Sequence, residues 1–151
     1  MSQSLSRILL HIIFSTKNRF AFLTEIDLQK RMHAYLARVF NEQGCPAIEV
    51  GGAKDHVHIL CILSRNIAIS EIIKKAKVSS SSWAKSLGGM CGKFSWQSGY
   101  GAFSIHESQI ESLRRYIQNQ PEHHRIKTFQ EEYLQILHEY RMPYDERYLW
   151  D

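Results

Sequence analysis

Apolar positions recur along this chain with two periods, about two residues in some stretches and about 3.6 in others, and their order predicts a fold. Arg7 to Ser15 is a dense run rich in Ile and Leu, which reads as a buried strand. Thr24 with Asp27 resembles a capping box, so a helix is expected to follow. Its apolar stripe is Leu28, Met32, Tyr35, Leu36 and Val39, and Gly44 and Pro46 stop it. Two strand-like runs come next, Ala47 to Val50 and His56 to Leu63, joined by a hairpin-type connection from Gly51 to Asp55. A second helix is expected from about Ser70 to Leu87, with Ile69, Ile72, Ile73, Ala76, Ser80, Trp83 and Leu87 inward. After a glycine-rich loop at Gly88 to Gly92, Gly101 to Ile105 reads as a short fourth strand.

Strand, helix, strand, strand, helix, strand is the split βαβ plan, an α+β, ferredoxin-like or RRM-like sandwich: an antiparallel sheet with helices on one face. Two further helices are expected. One starts at Ser108, with Glu111 completing a capping box, carries Ile110, Leu113 and Ile117 inward, and ends at Pro121. The other starts near Pro121 and buries Ile126, Phe129, Tyr133, Ile136, Leu137 and Tyr140. The aromatic tail, with Tyr144, Tyr148 and Trp150, is expected to dock. No repeat, linker or low-complexity tract divides the 151 residues, which suit one domain over 1–151.

Composition narrows the class. With 44% hydrophobic and 23% charged residues, the chain has the balance of a globular protein rather than a disordered one. No apolar run is long enough to span a bilayer and no secretion signal opens the chain, so no membrane partner and a cytoplasmic location are expected. Cys45, Cys61 and Cys91 are odd in number with no close pair, which fits reduced thiols rather than a disulfide framework or zinc knuckle. The net charge of +4 is compatible with a nucleic-acid partner without requiring one.

Two residue pairs could carry chemistry. In Asp55-His56-Val57-His58, strand alternation puts His56 and His58 side by side on one face, while Val57, Ile59, Cys61 and Leu63 face the other way. Two imidazoles so placed can share one metal ion; alone, so short a pattern reads first as two hydrogen-bonded histidines on a polar sheet face. Tyr116 and Gln120 stand four residues apart and share a helix face, although Gln120 precedes Pro121 and its backbone is expected to be leaving the helix. A tyrosine hydroxyl with a pKa near 10 is a poor nucleophile at neutral pH unless a cation stabilises the charge that develops. Two histidines and an amide oxygen could hold that ion with positions left open. Imidazoles favour Mn²⁺ and its relatives, whereas Mg²⁺ prefers oxygen ligands, and either ion fits the residues.

Asp55-His56-Val57-His58-Ile59-Leu60 resembles the His-hydrophobic-His motif of the single-tyrosine HUH transposases, the small enzymes of compact insertion sequences and their REP-associated relatives. Trp96-Gln97 with Gly99 to Ser104 resembles the segment before their catalytic helix. Tyr116 to Gln120, followed by Glu122-His123-His124, resembles that helix, and Ser15 to Arg19 resembles their turn after the first strand. The similarity spans nearly the whole chain in order. It implies a ferredoxin-like domain whose exposed sheet face carries the metal on His56, His58 and Gln120, with C-terminal helices bearing the catalytic Tyr116. It also implies Mg²⁺ or Mn²⁺ as cofactor, single-stranded DNA with hairpin ends as partner, and a homodimer in which one subunit's tyrosine helix can complete the other's site. By that resemblance, Tyr116 attacks a phosphodiester, leaving a 5′-phosphotyrosine and a free 3′-hydroxyl, and another 3′-hydroxyl then rejoins the strands.

Lys74, Lys77 and Lys85 form an outward stripe on the second predicted helix that could grip phosphates, as could Lys17 and Arg19 after the first strand. His11 reads as a satisfied core histidine, His123 and His124 as surface residues, Trp83 as core, and Trp96 as a possible base-stacking side chain. Two other functions fit the pattern: a catalytically silent RRM-like nucleic-acid-binding module, or an HUH nuclease of the replication-initiator or relaxase kind. The latter is disfavoured by the lack of a helicase or other large domain in this chain.

Overall fold

The computed structural model describes residues 2–151. Strand β1 (Ile8–Ser15) leads to helix α1 (Ile26–Glu42), the hairpin β2 (Ala47–Gly52) and β3 (His56–Leu63), helix α2 (Ile69–Ser86) and strand β4 (Gly101–Ser104). Helices α3 (Ile110–Gln118), α4 (Gln120–His123), α5 (Phe129–Glu139) and α6 (Glu146–Leu149) complete the order. The sheet runs β2-β3-β1-β4 and every neighbouring pair is antiparallel, as the split βαβ plan requires.

Period-two alternation decides which side each strand residue serves. Leu10, Ile12 and Phe14 of β1 and Val57, Ile59 and Cys61 of β3 join Met32, Leu36 and Phe40 of α1 and Ile72, Ile73 and Ala76 of α2 in the main core. The other face carries His11, Ile13, His56 and His58, and it is not exposed. There Ile13 and Phe103 pack against Phe129, Tyr133 and Leu137 of α5, with Trp150 of the tail alongside. Helix α3 lies across β2 and β3 on the same side. The sheet is therefore covered on both faces, and the C-terminal helices form a lid over its polar side.

Two glycines seat that lid. A Cβ on Gly51 of β2 would lie 2.6 Å from Ile117 Cγ2 of α3, and one on Gly101 of β4 would lie 2.5 Å from the Tyr133 hydroxyl of α5. Only a residue without a side chain lets these helices come so close.

Several helix ends differ from expectation. Helix α1 has Glu25 at its N-cap with no side-chain hydrogen bond, so Thr24 and Asp27 form no capping box. The turn before α3 is capped by His106, whose ring accepts from the Ser108 amide while Gln109 reaches back, so Ser108 and Glu111 form none either. The true box is Thr128 with Glu131, which starts α5. Pro121 sits inside α4, and the turn that follows leaves Ile126 92% exposed instead of buried. Leu87 and Tyr140 are likewise exposed. The tail docks as expected: the Asp151 carbonyl accepts from the Gly99 amide, and the Arg19 guanidinium lies over the Trp150 ring.

Candidate active site and metal centre

His56 and His58 are fully buried beneath the C-terminal helices, each with its Nδ1 already engaged. His56 Nδ1 lies 2.8 Å from Asp55 Oδ1, and His58 Nδ1 lies 2.8 Å from His11 Nε2. With each Nδ1–H donating to these partners, both Nε2 lone pairs are free and point into one space. A partner on the far ring nitrogen is how proteins fix tautomer and orientation of a metal-binding histidine. His11, expected to be a core histidine, is buried and serves this purpose.

Gln120 and Glu132 close that space. Helix α3 ends at Asn119, so Gln120 opens α4 instead of continuing the Tyr116 helix, yet its side chain still turns towards the histidines. Its Nε2 donates to Glu132 Oε2 at 2.9 Å, which turns its Oε1 towards His56 Nε2, also at 2.9 Å. Glu132 Oε1 lies 3.1 Å from His58 Nε2 and 3.7 Å from His56 Nε2. Four atoms with lone pairs therefore converge, and nothing but a cation or protons can sit among them. Donor atoms bound to one ion at about 2.1 Å stand about 3.0 to 3.4 Å apart at octahedral to tetrahedral angles. The observed separations of 2.9, 3.1 and 3.7 Å span that range, so the residues fit a divalent metal. His56, His58 and Glu132 form one group able to hold an ion, and His123, His124 and Glu132 form another that shares the same carboxylate.

Tyr116 enters from α3. Its hydroxyl donates to Glu132 Oε2, and its ring stands edge-on to His58 with centroids 5.8 Å apart. It lines a cavity of about 340 Å³ between α3 and α5, together with His123, Lys127 and Gln135. The nucleophile candidate is thus beside the histidines of its own chain and open to a ligand from that cavity.

Burial governs the charges. It pulls His58 down to about 4, against the opposing pull of Glu132, and pulls His11 to about 3, so both are neutral at pH 7. Burial alone would raise the Glu132 carboxyl, but the hydrogen bond from His124 and the imidazoles gathered around it outweigh burial and lower it. Burial and the Glu132 charge push the Tyr116 phenol well above its ordinary range, keeping it protonated.

The other candidates are scattered. Lys74 and Lys85 are exposed, but α2 packs on the face of the sheet away from Tyr116. Lys77 is not part of an outward stripe: its ammonium donates to the carbonyls of Gln97 and Gly99 at 2.8 and 2.6 Å, and burial lowers it to about 8. Lys17 is exposed, and Arg19 rests on Trp150. Trp96 is buried with its indole donating to Ser80 Oγ, so it has no face free for a base. His123 and His124, expected at the surface, turn inward to Glu132 at 3.4 and 3.1 Å. Glu132 itself was missed. The available signal was its place within the apolar stripe Phe129, Tyr133, Ile136 and Leu137, where a carboxylate needs a partner. All three cysteines are free and buried.

The chain's sequence matches the family model described as Transposase IS200 like over residues 4–120. Among curated proteins, none matches it by sequence. Among solved structures, it is similar to a candidate transposase from Deinococcus radiodurans R1, with a TM-score of 0.61 and 20% identity over 80% of this chain and 98% of that one. It is also similar to a REP-associated tyrosine transposase bound to a REP hairpin, with a TM-score of 0.59 and 17% identity over 82% of this chain and 74% of that one. At these identities the structural likeness speaks for the fold alone.

Proposed function

We propose that this chain, which belongs to the IS200-like transposase family, cuts and rejoins single-stranded DNA with Tyr116 as its nucleophile and a divalent metal on His56, His58 and Gln120. The observation that carries this reading is the hydrogen bond from the Tyr116 hydroxyl to Glu132, beside the convergent imidazole and amide lone pairs. A bound Mg²⁺ or Mn²⁺ would polarise a phosphate oxygen and stabilise the charge that develops in transfer. His56 and His58, locked by Asp55 and His11, hold their lone pairs in place before any ligand arrives. Gln120 presents its carbonyl because Glu132 accepts one of its amide hydrogens. Tyr116 oxygen attacks phosphorus, the bond to the 3′-oxygen breaks, and the phenol proton passes to Glu132. The 3′-oxygen takes that proton back from Glu132 through solvent and leaves as a hydroxyl, while the 5′-phosphate remains on Tyr116. Attack by another 3′-hydroxyl reverses the exchange and frees the tyrosine.

The fold shared with a transposase bound to a REP hairpin supports DNA with a hairpin end as the partner. Lys127 lines the Tyr116 cavity and is placed to meet a phosphate bound there. Any grip by Lys17, Arg19, Lys74, Lys77 or Lys85 falls on more distant parts of the strand. The contact of Tyr116 with Glu132 within one chain supports a site that needs no second subunit, so a homodimer, if formed, serves DNA pairing rather than completion of the site.

Incubation with labelled single-stranded hairpin DNA and Mn²⁺ tests the reading. A covalent protein–DNA adduct is expected, absent in Tyr116→Phe and with chelator, and strongly reduced in His56→Ala and His58→Ala, which keep most DNA affinity. Binding without an adduct on any hairpin end would instead make the chain a binding module.

A further inference from the structure

We infer that Glu132 is a fourth ligand of the metal centre and, through its second oxygen, the residue that positions Tyr116. The inference rests on the metal-dependent reading above. Glu132 belongs to none of the sequence motifs; α5 carries it to the site across the sheet.

The two carboxylate oxygens have different company. Oε1 faces His58 Nε2 at 3.1 Å, the spacing of atoms that share an ion, with His56 Nε2 a little farther off at 3.7 Å. Oε2 accepts from the Tyr116 hydroxyl and from Gln120 Nε2. One oxygen thus looks at the metal position and the other at the nucleophile, with a single carboxyl carbon between them. The carboxylate is 2% exposed. The only groups within 4.0 Å of it that can carry positive charge, among the described residues, are imidazoles of His56, His58, His123 and His124. No lysine or arginine reaches it. A buried carboxylate without a compensating cation is strongly disfavoured. His56 and His58 offer lone pairs rather than protons when they act as ligands, so on the metal side of the carboxylate the compensation comes from the ion, with His123 and His124 flanking it.

Charge supplies the second argument. Two neutral imidazoles and an amide leave the whole +2 of a divalent ion buried. Adding one carboxylate halves it. Two nitrogens and two oxygens also make a donor set that suits Mn²⁺ better than Mg²⁺. The phenol, held on the other oxygen, is kept one carboxylate away from the ion and aimed into the cavity.

Calorimetric titration of the full chain with Mn²⁺, without DNA, tests this. Wild type should bind one ion, and Glu132→Gln should weaken binding at least tenfold while keeping its circular-dichroism spectrum. At saturating Mn²⁺, Glu132→Gln should also form adduct more slowly with unchanged DNA affinity. Thr128→Ala, which loosens α5 without touching the site, should keep Mn²⁺ affinity within about threefold, separating ligation from helix stability. Should Glu132→Gln fail to fold, Glu132→Asp, whose carboxylate falls one methylene short, must show the same loss. Equal Mn²⁺ affinity in wild type and the folded variant overturns this inference alone. No Mn²⁺ binding by wild type overturns the metal-dependent reading beneath it.

Discussion

Gly51→Ala is the perturbation whose effect can be worked most directly from the structure. Gly51 pairs with His58 in the sheet and lies under α3. A Cβ there would stand 2.6 Å from Ile117 Cγ2 and 2.7 Å from the Ile117 carbonyl oxygen. The methyl can rotate away, but the carbonyl belongs to the helix. Carbon–oxygen contacts settle near 3.3 to 3.6 Å, so α3 must lift by about 0.6 to 0.9 Å. The Gly51 backbone is not left-handed, so alanine adds no backbone strain and the displacement is the whole effect. Overpacking of this kind destabilises by about 1 to 3 kcal/mol. Tyr116 adjoins Ile117, and Gln120 follows one turn later, so both move away from His56 and His58. A misplacement near 1 Å can slow a positioned reaction by about 10²-fold. The assay is the rate of adduct formation on a hairpin oligonucleotide that wild type cleaves, with thermal denaturation alongside. Gly92→Ala is the control, because its Cβ meets nothing within 4 Å. Cleavage by Gly51→Ala within threefold of wild type, at an unchanged melting midpoint, would refute the claim that α3 is seated on this bare backbone.

Thr128→Ala removes the side-chain cap from the Glu131 amide and should lower stability by about 1 kcal/mol, a fall of about 2 to 4 °C in Tm by thermal denaturation. His33 gives a pH dependence. Burial, then the charges of His56 and His58, pull it down to about 4, and its Nε2 is buried without a hydrogen-bond partner. Below pH 6.5 the unfolded chain takes up a proton that the folded one refuses, so acid destabilises, by about 2 kcal/mol at pH 5. His33→Leu should flatten the slope of Tm between pH 7 and 5; an unchanged slope would exclude His33 as its source.

The sheet and its two packing helices were legible because a single period accounts for each. Leu10, Ile12 and Phe14 announce a buried strand face, and the same alternation puts His56 and His58 together without any knowledge of their partners. What escaped depends on distant segments meeting. Glu132 is one of two adjacent acids in an ordinary amphipathic helix until α5 crosses the sheet. His123 and His124 face inward for the same reason. The misplaced caps have a local cause: Thr24 and Ser108 each stand near a helix start, but Glu25 and His106 take the extended conformation that the N-cap needs. Ile126 keeps the spacing of the α5 stripe, but the turn between α4 and α5 interrupts it.

The sheet works as a partition. Its cohesion lies largely on one side, in the core shared with α1 and α2, while every candidate reacting group lies on the other. On the proposed reading, copies that lose Tyr116 or a histidine forfeit chemistry well before they forfeit shape. A fold divided this way can lose its proposed chemistry and keep its shape, which leaves a folded sheet and its helices free for another use.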